Sequence, residues 1–269
     1  MAKPQGSMTR TGNTDKFTGL ADVYARFRPG YPIEAIRFLK ERCNLDSNSK
    51  VADIGCGTGI FTRLLYNQGI ETVIGIEPNQ DMLRAAREEC ESDTTYNTIK
   101  FIHGTAEDTT LDRDSIDTVV SAQAFHWFDP QKALEEFHRI LKSSGHCALV
   151  WNVRDDSDPF TREYGETMYE HSTKASDEIR RGVSGKKLLL SSIFESLAVR
   201  EFPNSQILDE EGIIGRAIST SYAPRQEAAK QELIASLKKL YDKHRDKTNP
   251  EQITMRYITT IYLARKLSD

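Results

Sequence analysis

The amino-acid sequence predicts a doubly wound α/β fold, in which helices cover both faces of a mostly parallel sheet. From residue 50 onward, short apolar runs alternate with amphipathic segments of helical period. Strands separated by helices require crossover connections, and such connections give parallel strands within one sheet. A glycine-rich turn follows the first run, and the last run repeats with the period of two that is typical of a strand.

Seven strands and the helices between them account for this pattern. Pro32 suits the entrance of a helix at Ile33–Arg42, ahead of the sheet. Further helices are predicted at Ile60–Asn67, Gln80–Cys90 and Gln131–Leu141. We expect the seventh strand to be antiparallel and to lie at an end of the sheet. The strands of this Rossmann-like sheet are predicted at residues 51–54, 72–76, 99–103, 116–121, 147–153, 198–203 and 253–263.

The length of 269 residues fits one large domain with insertions. Residues 1–16 are polar and aperiodic, so we expect a disordered leader. Residues 17–269 are interpreted as a single domain, whose core covers about residues 49–155 and the last two strands. A helical cap is expected from residues 17–48, 155–196 and 209–248.

Composition and charge narrow the class of partner. A net charge of −4 and a pI near 5.9 provide no basic footprint for nucleic acid or an anionic membrane. No apolar run approaches the ~20 residues that cross a bilayer. The four cysteines form no C-x-x-C pair, which is typical of reduced thiols, and no histidine pair resembles a metal site. We therefore expect a metal-free cytoplasmic protein, monomeric or homodimeric, with a small-molecule partner.

The clearest functional motif is the turn Asp53-Ile54-Gly55-Cys56-Gly57-Thr58-Gly59. Glycines at this spacing let the backbone reach positive φ and let a ligand approach closely. The dinucleotide fingerprint is G-x-G-x-x-G, built for a pyrophosphate, whereas this turn is G-x-G-x-G behind an acid. Asp53 would repel a pyrophosphate and attract an ammonium group. The turn therefore favours S-adenosylmethionine (SAM) over NAD; a glycine-rich turn without a ligand is the alternative.

A second acid closes the second predicted strand, in Gly75-Ile76-Glu77-Pro78-Asn79. A carboxylate at the end of this strand can accept hydrogen bonds from both hydroxyls of a ribose. The alternative is an acid that merely favours the dipole at a helix N-terminus. Asn79 is expected to cap the helix that follows.

With these motifs the chain resembles the class I SAM-dependent methyltransferases, and within them the type 11 group that includes the trans-aconitate methyltransferase-like proteins. The resemblance spans residues 17 to about 155. Besides the two motifs above, it rests on Phe17, Ala21, Tyr24, Arg28-Pro29, Tyr31-Pro32, Asp81-Met82-Leu83, Gly104-Thr105-Ala106-Glu107, Asp114-Ser115-Ile116-Asp117, Ala122-Gln123-Ala124-Phe125-His126-Trp127 and Arg139-Ile140-Leu141-Lys142.

The resemblance implies a complete SAM site, with Asp53 and the turn at the methionine end, Glu77 at the ribose and Met82 against the adenine. Family members usually have Asp where this chain has Thr105, so Glu107 or a backbone carbonyl would replace that hydrogen bond to the adenine. The implied cofactor-binding residues are Tyr24, Arg28, Asp53, Gly55, Cys56, Gly57, Gly59, Glu77, Pro78, Met82, Thr105, Ala106, Glu107, Gln123 and Trp127.

Two of these residues precede the sheet. By the same resemblance Tyr24 and Arg28 would fold over the cofactor, with Arg28 meeting the methionine carboxylate. A planar guanidinium suits a bidentate contact with a carboxylate. The alternative is that Arg28-Pro29 ends a helix and that Arg28 is solvated.

The residues after the fourth strand lie at the carboxyl edge of the sheet, where open α/β folds bind ligands. Phe125, His126 and Trp127 are therefore expected to wall the methyl-transfer chamber, and His126 is the candidate general base. A carboxylate acceptor would need no base, and Trp127 packed in the core is an alternative. Further candidates for the acceptor wall, each of which could equally be an ordinary core or surface residue, are Trp151, Asn152, Arg154, Arg216 and Tyr222.

The resulting functional hypothesis is methyl transfer from SAM to a carboxylate or hydroxyl oxygen of a small molecule, leaving S-adenosylhomocysteine (SAH). The fourth strand is not followed by the Asn/Asp-Pro-Pro-aromatic turn or the Pro-Cys nucleophile of enzymes that methylate nucleic-acid bases. Nitrogen or carbon acceptors are close alternatives. An NAD-dependent oxidoreductase and a non-catalytic SAM-binding regulatory protein are alternatives of another class.

Overall fold

The alternation of strands and helices is present in the structure, a computed structural model that describes residues 26–172, 185–245 and 251–268. No helix in these ranges is long and apolar enough to cross a membrane. In chain order the elements are α1 (Ile33–Arg42), β1 (Lys50–Ile54), α2 (Ile60–Asn67), β2 (Thr72–Glu77), α3 (Gln80–Glu91), β3 (Lys100–His103), β4 (Ile116–Ala122), α4 (Pro130–Ile140), β5 (Leu141–Arg154), α5 (Pro159–Glu170), β6 (Phe194–Leu208), α6 (Glu210–Ile218), α7 (Glu227–His244) and β7 (Ile253–Lys266).

The seven strands form one sheet in the order β3-β2-β1-β4-β5-β7-β6. Neighbours from β3 to β5 are parallel, and β7 is antiparallel to both β5 and β6. The Rossmann-like, mostly parallel sheet with an antiparallel last strand is thereby confirmed. The prediction that this strand lies at an end of the sheet is wrong, because β6 occupies the edge. The burial patterns explain this order: β7 is buried along most of its length, whereas β6 is largely exposed, as suits an edge.

Several boundaries differ from those predicted. β5 begins at Leu141, directly after α4, and its pairing with β4 shifts register between Ile116 and Thr118. β6 continues well beyond residues 198–203 because it pairs with β7 from Phe194 to Leu208. The added parts of both strands contain many polar residues, so the apolar pattern of the sequence did not predict them. The expected leader, residues 1–16, lies outside the described residues.

Four apolar clusters of the described residues hold the elements together, and the smallest packs α3 against Cys56 and Phe101. One cluster on each face of the sheet packs the helices against the parallel strands, with Phe137 and Trp151 in one and Ile36 and Leu65 in the other. The third cluster joins α5, α6 and α7 to the first half of β7 through residues such as Phe160, Tyr164, Ile213, Leu237 and Met255. The cap helices are therefore packed on the same sheet that carries the glycine turn.

Candidate functional site

A cleft opens at the carboxyl ends of β1 and β4, where open α/β sheets bind ligands. It encloses about 580 Å³ of space, including its opening to solvent. Residues from the N-terminal segment, from the glycine turn, from the ends of β4 and β5 and from α6 meet there. Its lining residues are Arg28, Pro29, Tyr31, Asp53, Gly55, Cys56, Gly57, Thr58, Ile60, Phe61, Ala122, Gln123, Asn152 and Arg216.

The glycine turn needs its glycines for two separate reasons. Gly55, Gly57 and Gly59 have φ values of 73°, 56° and 76°, in the left-handed region that favours glycine. A Cβ on Gly55 would also lie 2.5 Å from the Cβ of Ala124, so the turn and the loop after β4 could not approach as they do. The backbone N–H of Gly55 donates to the carbonyl of Ile76 at 2.8 Å, which anchors the turn to β2.

Asp53 is the last acid before the turn and is fully buried. Its Oδ2 accepts a hydrogen bond from the Thr62 hydroxyl at 2.7 Å, and its Oδ1 has no hydrogen-bond partner among the described residues. Burial raises the pKa of Asp53 to about 7. A buried carboxylate oxygen that lines a cleft and lacks a partner suits a ligand that brings a cation or a hydrogen-bond donor.

Glu77, at the end of β2, is also buried and contacts the turn. Its Oε2 accepts from the Gly57 N–H and its Oε1 from the Asn79 N–H, both at 2.9 Å. Burial raises the pKa of this carboxyl to about 7. Each oxygen retains a second lone pair, so the carboxylate can still accept hydrogen bonds from ligand hydroxyls. The contact with Gly57 spans 20 residues and was not anticipated from the sequence.

The residues expected around the adenine lie beside Glu77 and outside the lining of the cleft. Met82 is buried on α3, and the Asn79 side chain accepts from its N–H at 3.0 Å, which confirms the predicted helix cap. Ala106 is buried, and the exposed Thr105 hydroxyl accepts from the Asp108 N–H at 3.1 Å. Glu107 accepts from the Asp129 N–H at 2.7 Å, so its carboxylate also fixes the start of α4.

After β4, the Gln123 side chain joins this strand to β5 at the cleft. Its φ is 60°, and its Nε2 donates to the Asn152 carbonyl at 2.9 Å. His126 and Trp127 follow in a short 3₁₀ turn, and the His126 ring lies 4.4 Å from that of Trp127 and 5.3 Å from that of Trp151. These three rings pack together outside the residues that line the cleft.

The N-terminal segment closes one side of the cleft. Arg28 donates from NH2 to the Ser219 carbonyl at 2.7 Å, at the C-terminal end of α6. The Gly30 carbonyl accepts from the side chains of Asn152 and Asn204 at 3.0 and 2.9 Å. Asn152, a candidate for the acceptor wall, thus lines the cleft and also holds this segment. Tyr24, expected to lie over the cofactor, falls outside the described residues.

The other acceptor candidates divide into two groups. Arg216 is 5% exposed, lines the cleft and donates from Nε to the Tyr257 hydroxyl at 3.2 Å. Trp151 and Tyr222 are buried behind the lining, and the Tyr222 hydroxyl accepts from Arg154 NH1 at 3.4 Å. Sequence reasoning did not single out Tyr164 or Tyr257 for the site, since their spacing is that of ordinary core positions. The roles toward an acceptor that the sequence suggested stay predictions for Trp151, Asn152, Arg154, Arg216 and Tyr222.

The chain is similar to known methyltransferases in both sequence and fold. Residues 52–149 match the family described as "Methyltransferase domain". The chain is 30% identical over 244 residues to Uncharacterized methyltransferase Rv3342 of Mycobacterium tuberculosis, covering 90% of this chain and 92% of that protein. It is 28% identical over 204 residues to a probable S-adenosylmethionine-dependent methyltransferase of Saccharomyces cerevisiae, covering 70% and 69%. A putative type II methyltransferase from Anaeromyxobacter dehalogenans has a similar fold, with a TM-score of 0.63 and 21% identity over 89% of this chain and 97% of that one.

Proposed function

Because this chain belongs to the class I SAM-dependent methyltransferases, we propose that it methylates a small-molecule acceptor and that the cleft beside the glycine turn is its active site. The acceptor atom that we propose is a carboxylate or hydroxyl oxygen. Within the family, the segments around Arg28 and from Ala122 to Trp127 support a place in the type 11 group near the trans-aconitate methyltransferase-like proteins. The four described cysteines are all free, which supports our assignment to the cytoplasm.

One observation carries the proposal: the Oδ1 of Asp53 is buried at the cleft without a partner. An ammonium group would satisfy this oxygen, whereas a pyrophosphate would be repelled by it and by the neighbouring Glu77. SAM has an ammonium group, a ribose and no phosphate, so the residues present fit it. When bound, SAM would supply a methyl group already activated by its sulfonium sulfur; transfer of this methyl group to an acceptor oxygen would leave SAH.

In this proposal three side chains around the cleft each bind a different group of SAM. Asp53 binds the ammonium group, Glu77 binds the ribose hydroxyls, and Arg28 binds the methionine carboxylate. The turn glycines let the ligand approach the backbone closely. Arg28 and Asn152 also hold the N-terminal segment against α6 and β5, which helps to exclude water from the reacting atoms.

No general base is required for a carboxylate acceptor, because its oxygen is already anionic at neutral pH. The His126 ring packs against Trp127 and Trp151 outside the lining of the cleft, so we assign it no proton transfer in such a reaction. For a hydroxyl acceptor, His126 stays the candidate base. We propose that the protein acts on small molecules as a monomer or homodimer.

Binding of the cofactor product tests the proposed site directly. Asp53→Ala and Glu77→Ala should each weaken SAH binding by about 1 to 3 kcal/mol in isothermal titration calorimetry, as loss of charge-assisted hydrogen bonds would. Glu88→Ala, on the exposed face of α3, is the matched control and should leave the affinity unchanged. Unchanged SAH affinity in both site variants, or tighter binding of NAD than of SAH to the natural protein, would contradict the proposal.

Catalysis needs a separate test. The natural protein should transfer labelled methyl groups from SAM to at least one small hydroxy- or carboxy-compound in a broad panel. Tight SAH binding without any transfer, across acceptors with oxygen, nitrogen and carbon nucleophiles, would instead favour a regulatory SAM-binding protein.

A further inference from the structure

A buried arginine lines the same cleft as the glycine turn. Arg216 belongs to the last turn of α6 and is 5% exposed. Its Nε is hydrogen-bonded to the Tyr257 hydroxyl, while its NH1 is buried and has no hydrogen-bond partner among the described residues. Arg216 and Asp53 both line the cleft, so two residues with an unsatisfied buried polar atom meet at one cavity.

Among the described residues, the surroundings of Arg216 contain hydroxyl groups but no countercharge. Its electrostatic neighbours are Tyr257, Tyr164 and Tyr222, and no carboxylate of the described residues forms an ion pair with it. The Tyr164 hydroxyl is also buried without a hydrogen-bond partner in the described ranges. Burial raises the pKa of Tyr164 above its ordinary value, so this hydroxyl is neutral at neutral pH.

A second cation increases the positive charge of this cluster. Arg154, at the end of β5, lies with its guanidinium carbon 5.8 Å from the centre of the Tyr164 ring and donates to Tyr222. A buried charge is costly unless it is paired, and the partial negative charge at the C-terminus of α6 compensates Arg216 only in part. The cluster of Arg154, Tyr164, Arg216, Tyr222 and Tyr257, hereafter the arginine–tyrosine cluster, is therefore built to receive an anion.

The position of the cluster separates it from the proposed cofactor site. Asp53 lies on β1, whereas Arg216 is bonded to Tyr257 on β7. In the strand order β1-β4-β5-β7 these strands are three spacings apart, which corresponds to roughly 14 Å. The cleft is thus acidic on the side of β1 and basic on the side of α6, where Arg216 lies and where Arg28 donates to the Ser219 carbonyl. An ammonium group needs only the acidic side.

We propose that Arg216 binds a carboxylate group of the acceptor and so selects acidic small molecules; this inference rests on the proposed methyltransferase function. A guanidinium presents planar donors that match a carboxylate, and Arg216 has NH1 available while Tyr257 holds its Nε. An oxygen paired with a guanidinium is a weaker nucleophile because its lone pairs are engaged. The bound carboxylate therefore positions the acceptor, and the methylated atom is a different oxygen of the same molecule.

The alternative partner of Arg216 is the carboxylate of the cofactor itself. The two assignments differ in a measurable way, because the proposal gives that carboxylate to Arg28. Arg216→Met should bind SAH within about threefold of the natural protein, whereas Arg28→Met should bind it about 10- to 100-fold more weakly. A loss of SAH affinity in Arg216→Met equal to that in Arg28→Met would overturn the proposal.

The decisive experiment compares small hydroxy- and dicarboxylic acids with their matched neutral monoamides. With the natural protein, kcat/KM for methyl transfer should favour the best acid over its amide by about 10- to 100-fold. Arg216→Met should abolish this preference and leave transfer to the amide within about threefold, while Arg216→Lys should retain part of the preference. Arg256→Met replaces an exposed arginine on β7 outside the cleft and should behave as the natural protein.

Binding supplies a readout that does not depend on turnover. The same acids and amides are titrated against SAH-saturated protein by calorimetry, and the fold of each variant is checked by circular dichroism and thermal unfolding. An acid that binds the natural protein and binds Arg216→Met at least about tenfold more weakly supports the proposal. Equal binding of acids and amides, an unchanged preference in Arg216→Met, or no bound acid at all overturns it. If the natural protein does not bind SAH at all, the proposed function is overturned instead.

Discussion

The two ends of the cleft are built in different ways. At the end of β1 the shape is made by backbone: three glycines with positive φ, and backbone N–H groups that bind the Glu77 carboxylate. At the end lined by Arg216, side chains from α5, β5 and β7 pack behind the lining residue and hold it. The first end leaves a carboxylate oxygen unsatisfied and the second a guanidinium nitrogen. One cavity can therefore hold a cationic ligand group beside Asp53 and an anionic group beside Arg216.

The largest effect is expected where the backbone end is blocked. Gly55→Ala places a Cβ at positive φ and 2.5 Å from the Ala124 Cβ, so it should destabilise the protein by about 2 to 5 kcal/mol and abolish SAH binding. Denaturant unfolding and calorimetry measure both quantities. Gly30→Ala is the control, since a Cβ there meets nothing within 4 Å. Equal stability of the two variants would show that the turn tolerates a side chain.

A matched pair of tyrosines probes the side-chain end. Tyr257→Phe removes the hydroxyl that accepts from Arg216 and should lower the free energy of unfolding by about 1.5 to 3 kcal/mol, because a buried cationic donor loses its partner. Tyr164→Phe removes a buried hydroxyl that has no partner in the described ranges, and should change that free energy by less than about 0.5 kcal/mol. Chemical denaturation measures the free energy of unfolding of both variants. Similar decreases in the two variants would indicate that the Tyr164 hydroxyl is also hydrogen-bonded.

The acidic end should show itself in the pH dependence of binding. Burial raises the pKa of Asp53 and of Glu77 to about 7, and both act toward SAH as ionised groups in our proposal. SAH affinity should therefore rise from pH 6 to pH 8, by about tenfold for each carboxylate that must lose a proton. Calorimetry at three pH values measures this rise, and Asp53→Asn should flatten it. A pH-independent affinity would contradict the assignment.

The same two carboxyls have the opposite effect on the stability of the ligand-free protein. Their pKa values in the folded state are raised above those of the unfolded chain, so the folded state binds protons more strongly between pH 4 and pH 7. Their contribution to stability is therefore fully present below about pH 4 and is lost as the pH rises through about 7. SAH should offset this loss above pH 7.

The smallest effect is expected on the outer face of the cap. Glu163 on α5 is hydrogen-bonded to Lys243 and His244 of α7, and these bonds lower its pKa to about 2. Its stabilising contribution is present above the unfolded pKa of about 4.3 and is lost as the pH falls through about 2. Glu163→Gln should lower the unfolding midpoint slightly at pH 7, less so at pH 3, with SAH affinity unchanged. Glu170→Gln, exposed on the same helix, is the control.

The sequence predicted the backbone end of the cleft well because its signals are local. The bounds of α2 matched those expected, and Asp53, the glycines and Glu77 occur within 25 residues along two adjacent strands. The glycines themselves indicate positive φ and a strand-to-helix turn, because other residues rarely adopt that conformation. What the pattern could not show was the direct contact of Glu77 with Gly57, which depends on how β2 packs beside β1.

The side-chain end could not be predicted in the same way. Arg216 and Tyr257 are 41 residues apart, and their contact depends on β7 inserting between β5 and β6. A period of two predicts that Tyr257 lies on one face of a strand, but it does not predict which helix covers that face. For the same reason the position of β7 inside the sheet was missed: strand order is decided by long-range pairing and burial, which no local period records.

The edge strand β6 has a consequence for how copies of the protein meet. Fourteen of its fifteen residues pair with β7 on one side, and no described strand pairs with the other. Pro203 sits in the middle of this strand and has no N–H, and the charged Arg200 and Glu201 precede it on the exposed edge. A strand from another molecule could therefore extend the sheet only in short stretches. The long open border is thereby protected against the stacking of one chain onto the next that leads to aggregation.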